Sequence, residues 1–178
     1  MKKPLLALLV AAAVALGVLF VVIRTSVSSQ HTQSSATEHL AVTIGDQSFT
    51  LINGVAEKQS APGSAATETV RVVGGPVSSD VTGDGKDDVA LLLADDPGGS
   101  GTFYYAVLAV NDGGSWHATN VVPLGDRIAP EKIDVVDGQF VYRFLERHPG
   151  DPMATTPTVQ NSVPIRFDPA SGRISAWG

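Results

Sequence analysis

Four aspartates fall within nine residues in the segment Asp80-Val81-Thr82-Gly83-Asp84-Gly85-Lys86-Asp87-Asp88. Asp80, Thr82, Asp84 and Asp88 stand at its first, third, fifth and ninth places, with glycine at the sixth. In a tightly curled loop alternate residues point inward, glycine at the sixth place allows the sharp turn, and the carbonyl of the seventh residue adds one more hard oxygen. Asp80, Thr82, Asp84, Asp88 and the Lys86 carbonyl are therefore candidate ligands for a structural calcium ion, with Asp87 directed outward. Two carboxylates about 6 Å apart repel by roughly 0.7 kcal/mol even in water, a cost that a cation relieves. The competing reading is an acidic, glycine-rich turn that introduces the apolar run 89–93 with nothing bound. Leu91 occupies the twelfth place, where a helix-loop-helix calcium hand needs an acid, so that architecture is not expected.

A second group with chemical capacity is Arg127, Arg147 and His148, in the segments Gly125-Asp126-Arg127-Ile128 and Arg143-Phe144-Leu145-Glu146-Arg147-His148-Pro149-Gly150-Asp151. Two guanidinium groups suit an anion or a carboxylate, and His148 with Asp151 has the elements of a base. That combination defines the alternative reading of a small exported hydrolase or anionic-ligand binder. The plainer reading pairs Arg127, Arg143 and Arg147 with Asp126, Glu146 and Asp151 in surface ion pairs worth roughly 0–1 kcal/mol each. No pattern marks a nucleophile beside the aspartate loop, which leans the reading away from an enzyme. Gly98-Gly99-Ser100-Gly101-Thr102 lacks the lysine of a phosphate loop and precedes a strand, so it reads as a flexible hairpin loop. The Phe103, Tyr104 and Tyr105 that follow suit core packing, or stacking on a sugar.

The stretch D-V-T-G-D-G-K-D-D-V-A-L-L-L resembles the calcium loops of FG-GAP and VCBS repeats, found in integrin-type propellers and bacterial surface proteins. The resemblance implies a structural metal that holds a turn beside a sheet, with Asp80, Thr82, Asp84, the Lys86 carbonyl and Asp88 as its ligands. The order of this loop ahead of G-G-S-G-T-F-Y-Y and L-G-D-R-I is also similar to a family of uncharacterised bacterial exported domains.

The elements that must position these residues are strands. From about Leu40 the apolar residues recur with a period of two, or in short solid runs bounded by Gly, Pro, Asp and Asn. The pattern predicts strands at 40–44, 48–52, 68–73, 88–94, 103–110, 116–123, 132–136, 139–145 and 162–167. Asn53-Gly54, Asn111-Asp112-Gly113-Gly114 and Asp137-Gly138 are hairpin turn sequences, because these residues tolerate positive φ. The expected fold is mainly β, a single antiparallel β-rich domain (sandwich, open barrel or meander) preceded by one N-terminal transmembrane helix. The solid apolar runs 89–93 and 105–110 predict central strands covered on both faces. Alternation along 139–144 predicts a strand half exposed. The expected core draws on Val89, Leu91, Leu93, Tyr105, Val107, Leu108, Trp116, Val121, Phe140, Tyr142 and Phe144.

Leu5 to Ile23 is a run of 19 residues without a charge or a side-chain amide or hydroxyl. At 1.5 Å per residue it reaches roughly 28 Å, close to the hydrocarbon thickness of a bilayer. The run ends in Phe20-Val21-Val22-Ile23-Arg24, bulky where a signal peptidase needs small side chains. Residues 1–24 are therefore expected to be an uncleaved anchor, with secretion after signal cleavage as the alternative. Lys2 and Lys3 against Arg24 place the N-terminus in the cytoplasm and the C-terminal domain in the periplasm or outside the cell. Residues 25–39 are Ser/Thr-rich and read as a flexible linker to the domain at 40–178.

Nine of the twelve basic residues and all eighteen acidic ones lie beyond the first 24 residues, which leaves that part at a formal −9. A phosphate backbone repels such a surface, and nucleic acid is not an expected partner. The expected partners are the membrane, through residues 5–23, and a protein or glycan. The absence of cysteine rules out disulfides, thiol nucleophiles and thiolate metal sites.

Overall fold

The computed structural model describes residues 35–177. The anchor expected at 5–23 lies outside the described residues, as does most of the expected linker. Among the described residues no helix is long and apolar enough to cross a membrane. Residues 35–38 form a helical turn, and Ala36 is fully buried. The carbonyls of Thr37 and Glu38 accept the amides of Gly54 and Asn53 at 2.9 and 3.1 Å, which ties this turn to the first strands.

Strands β1 (His39–Ile44), β2 (Gln47–Ile52), β3 (Val55–Gln59), β4 (Thr67–Ser79), β5 (Asp88–Asp96), β6 (Phe103–Asn111), β7 (Trp116–Ala118) and β8 (Val122–Asp126) form one antiparallel sheet in sequence order. β7 and β8 share the outer edge of β6. Strands β9 (Ala129–Val136), β10 (Gln139–Glu146), β11 (Val159–Asp168) and β12 (Arg173–Ala176) form a second antiparallel sheet in the order β12-β11-β10-β9. The first sheet curls into a half-barrel, so that β1 and β7 approach each other across its open side. The mainly β, antiparallel expectation holds in this form.

The apolar runs explain how two sheets share one chain. On β5, Val89, Leu91 and Leu93 join the cluster inside the curl with Leu40, Val42 and Val107. The intervening Ala90 and Leu92 join the cluster between the sheets with Leu108, Phe140, Tyr142 and Ile165. β5 and β6 are thus covered on both faces, as their unbroken apolar runs require. β10 keeps most of its expected alternation: Phe140, Tyr142 and Phe144 are buried on one face, Gln139, Arg143 and Leu145 are half-buried on the other, and only Val141 departs from the pattern. Tyr105, Trp116 and Val121 border the inner cluster and are only partly buried.

Other differences have local causes. The strand expected at 116–123 is broken after Ala118: the Thr119 amide still donates to the Leu108 carbonyl at 2.9 Å, but its side chain rather than its carbonyl returns the bond. The Thr119 hydroxyl accepts the Leu108 amide at 3.2 Å, and the Asn120 side chain takes up both backbone groups of Ile174 at 2.8 and 2.9 Å. That amide closes the edge of β12 against the first sheet. β3 and β12 were not expected: β3 is polar and half exposed, and β12 has four residues, so neither carries a strong alternation.

The sheets are also joined by one polar contact. The Tyr142 hydroxyl, within the apolar layer, lies 3.0 Å from the Leu91 carbonyl and 3.2 Å from that of Val107. Burial pushes its pKa far up, so the group remains a donor at any physiological pH. Tyr142→Phe is expected to cost about 1–2 kcal/mol of unfolding free energy, measured as a lowered urea midpoint at unchanged slope.

Candidate functional site

The aspartate loop spans the link between β4 and β5 and curls around a carboxylate. Asp80 Oδ1 accepts the amides of Gly83 and Asp84 at 2.7 and 3.2 Å, and Oδ2 accepts that of Gly85 at 2.9 Å. The Thr82 hydroxyl lies 3.5 Å from Asp80 Oδ1. Gly85, the sixth residue, has φ of +84°, the left-handed backbone its place in the loop requires.

Asp88, the ninth residue, is fully buried at the start of β5. Its Oδ2 accepts the amides of Val81 and Thr82, both at 3.1 Å, and its Oδ1 accepts the amide of Asn111 at 3.1 Å. Asn111 returns a second bond, from its side-chain nitrogen to the Asp87 carbonyl at 3.3 Å. The loop is therefore fastened to the end of β6. Asp87 is exposed, in the orientation the spacing predicts.

Asp84 has a different environment. One of its oxygens accepts the Lys86 amide at 2.9 Å, and the other meets the Lys86 ammonium at 2.7 Å. That ammonium, followed by the amide, holds the Asp84 carboxyl below its usual range, and the same contact raises the lysine. Spacing predicts only a backbone role for Lys86, whereas its side chain supplies the loop with an internal cation. The charges of Asp112 and Asp88 also act on it.

Chemically the donor set suits calcium: hard oxygens from Asp80, Thr82, Asp84 and Asp88 and the carbonyl of Lys86, all within nine residues. In the arrangement described, each carboxylate already has a partner, amides for Asp80 and Asp88 and Lys86 for Asp84. Among the described residues no group of three or more His, Asp or Glu side chains converges as a ready cation cage. Asp84 is the candidate ligand most easily freed, because its side chain is exposed and its strongest partner is the Lys86 ammonium, on an exposed side chain as well.

The neighbouring turn holds an Asp, a Ser and a His that spacing did not single out as a group. His117 Nε2 lies 2.7 Å from Asp112 Oδ2 and 3.1 Å from the Ser115 hydroxyl. The Ser115 amide first, then His117 and the Gly114 amide, hold the Asp112 carboxyl well below its usual range. A nucleophilic relay needs serine and aspartate on opposite ring nitrogens. Here both meet the same nitrogen, in solvent, and the arrangement is that of a turn clasp.

Arg127 and Arg147 do gather, with Asp126 between them. Arg127 makes a forked contact to the Asp126 carboxylate at 2.8–3.1 Å, and this contact lowers the aspartate. Arg147 donates to the carbonyls of Thr155 and Asp126 at 2.7 and 3.3 Å. The His148 backbone amide, at 3.2 Å, is what engages Asp151, and the residue itself is exposed. Arg143 pairs with Asp134 across the β9–β10 ladder rather than with the 146–151 turn. Grooves of about 430 and 300 Å³ lie elsewhere, one beside Thr43, Asn120 and Arg173 and the other beside Glu131, Arg143 and Gln160.

The chain matches no family model, no curated protein and no solved structure.

Proposed function

We propose that this chain is a membrane-anchored extracytoplasmic β-domain that serves as a binding or interaction module and takes one weakly held structural calcium ion in its 80–88 loop. The observation that carries the calcium reading is the curl of residues 80–85 around the Asp80 carboxylate, with Asp84 exposed nearby and balanced only by Lys86. Calcium would replace the Lys86 ammonium as the partner of Asp84 and draw on Asp80, Thr82, Asp88 and the Lys86 carbonyl. Its contribution is electrostatic, relieving the repulsion of four aspartates in one turn. The module reading is supported by the state of the groups of the alternative site: Arg127 and Arg147 are engaged in bonds to protein oxygens, and His148 meets Asp151 only through its backbone amide. The apolar run 5–23 supports the anchor, and the lysines that precede it support the outward orientation of the domain.

Extracellular modules of this type hold calcium with dissociation constants of roughly 0.1–1 mM. At about 1 mM calcium the fold then gains about 0.4–1.4 kcal/mol. Calorimetry and thermal unfolding of the full chain in detergent micelles, with calcium and with magnesium, test this. The expected result is saturable calcium binding in that range, a higher unfolding temperature, a weaker magnesium response, and loss of the effect in Asp84→Ala. An unaltered unfolding temperature at 10 mM calcium, or an equal response in Asp84→Ala, removes the metal and leaves an acidic turn closed by Lys86.

A further inference from the structure

The inner face of the half-barrel is apolar along most of its length but ends in a row of polar side chains that crosses four consecutive strands, β3 to β6. Phe49 on β2 lies under the Lys58 ammonium, which is 3.7 Å from the ring centre. Lys58 on β3 stands directly opposite Glu68 on β4, and their charges are 3.8 Å apart. Asp95 on β5 is directly opposite Val70 and therefore diagonal to Glu68, on the same face. Tyr105 on β6, opposite Leu93, completes the row.

The charges in this row do not balance. Glu68 and Asp95 are each only 5% exposed. Lys58 is one cation, and its ion pair is with Glu68. The Oδ1 of Asp95 is buried and has no hydrogen-bond partner. A buried carboxylate oxygen without a donor is costly while it is ionised, and a proton removes that cost without requiring space. Asp96, next along β5, adds a further negative charge. Tyr105, the remaining titratable neighbour, is itself raised by burial first and by Asp95 and Glu68 after it.

We propose that Asp95 is a proton-binding switch: a proton on its carboxyl completes the charge row, so that this end of the half-barrel is held more tightly in mildly acidic than in neutral solution. The end concerned is covered by the β3–β4 loop, where the Ser60 hydroxyl donates to the Pro97 carbonyl at 2.8 Å, two residues beyond Asp95. Burial first, then Glu68 and Asp96, push the Asp95 carboxyl up to about 6. A group raised in the folded state stabilises the fold fully below its unfolded value, about 3.9 for Asp, and that stability is lost as pH rises through the folded value. A difference of about two units corresponds to roughly a hundred-fold fall in the folding equilibrium constant between the two ends of the window.

The test is urea unfolding of the full chain in detergent micelles at pH values from 4.5 to 8, together with carbon-detected carboxyl titration of Asp95. The wild-type midpoint is expected to fall as pH rises through about 6, and Asp95→Asn is expected to abolish that fall and to be the more stable protein at pH 7.5. Two further variants move the inflection in opposite directions: Glu68→Gln to lower pH, by removing a repelling charge, and Lys58→Met to higher pH, by removing an attracting one. A flat wild-type profile, an Asp95→Asn protein less stable than wild type at pH 7.5, or an inflection that neither neighbour moves would overturn the proposal. None of these readings depends on calcium or on residues 80–88.

Discussion

Replacing Asp88 by alanine is expected to destabilise the domain by about 3–5 kcal/mol, more than any other single change in the aspartate loop. The carboxylate is fully buried and accepts the amides of Val81, Thr82 and Asn111. Alanine leaves all three donors without an acceptor, at roughly 1–3 kcal/mol for each that stays out of water. It also removes one of the two bonds between the loop and the end of β6, leaving the Asn111 side chain on the Asp87 carbonyl as the other. Asp88→Asn keeps one acceptor oxygen and is expected to lose about half as much. Asp84→Ala removes an exposed carboxylate whose partners are Lys86 and solvent, so in calcium-free solution its effect should be small. Urea midpoints of the three variants, measured with chelator present, check the ranking. If Asp88→Ala cost no more than Asp84→Ala, the buried amide clasp would not be what fixes the loop.

That ranking shows which part of the loop was legible in the sequence. The positions of Asp80, Gly85 and Asp88 are dictated by local backbone curvature, and local curvature is written in the spacing of Asp and Gly. The partner of Asp88 on β6 lies twenty-three residues away, and nothing in nine residues announces it. The same division runs through the fold. The unbroken apolar runs of β5 and β6 reveal strands covered on both faces, because each side chain must find its own apolar partner. The hairpin at Asn53-Gly54 is legible because both residues take positive φ, +51° and +80°, and the one at Asp137-Gly138 for the same reason, at +50° and +75°. β3 was hidden because its neighbours, rather than its own composition, make it a strand. The row from Lys58 to Tyr105 was hidden too, since its members come from four strands and only the curl of the sheet aligns them. Arg127 and Arg147 were found as candidates by type and do converge; the Arg127–Asp126 pair was legible because the two residues are adjacent, but the carbonyls of Thr155 and Asp126 that Arg147 meets are partners that spacing does not specify.

The curl itself depends on β4, which is where the second large effect is expected. β4 runs for thirteen residues, and its register against β5 shifts between Val72 and Gly74 and again between Gly74 and Val77. At the second shift Gly75 has φ of +84°, and a β-carbon built there would lie 2.5 Å from the Ala90 carbonyl oxygen. That oxygen belongs to the central strand of the sheet and is packed on both faces, so it cannot retreat. Gly75→Ala therefore combines a left-handed backbone, costing about 1–2 kcal/mol, with an overlap that must push two strands apart, costing about 1–3 kcal/mol more. The control is Gly45→Ala in the β1–β2 turn. There φ is +58° and nothing lies within 4 Å of the added carbon, so only the backbone cost of about 1 kcal/mol remains. The difference between the two urea midpoints measures the close approach of β4 to β5 alone. A difference near zero would mean that β4 can swing away from β5, and with it the bend that carries one wall of the half-barrel past the edge of the second sheet.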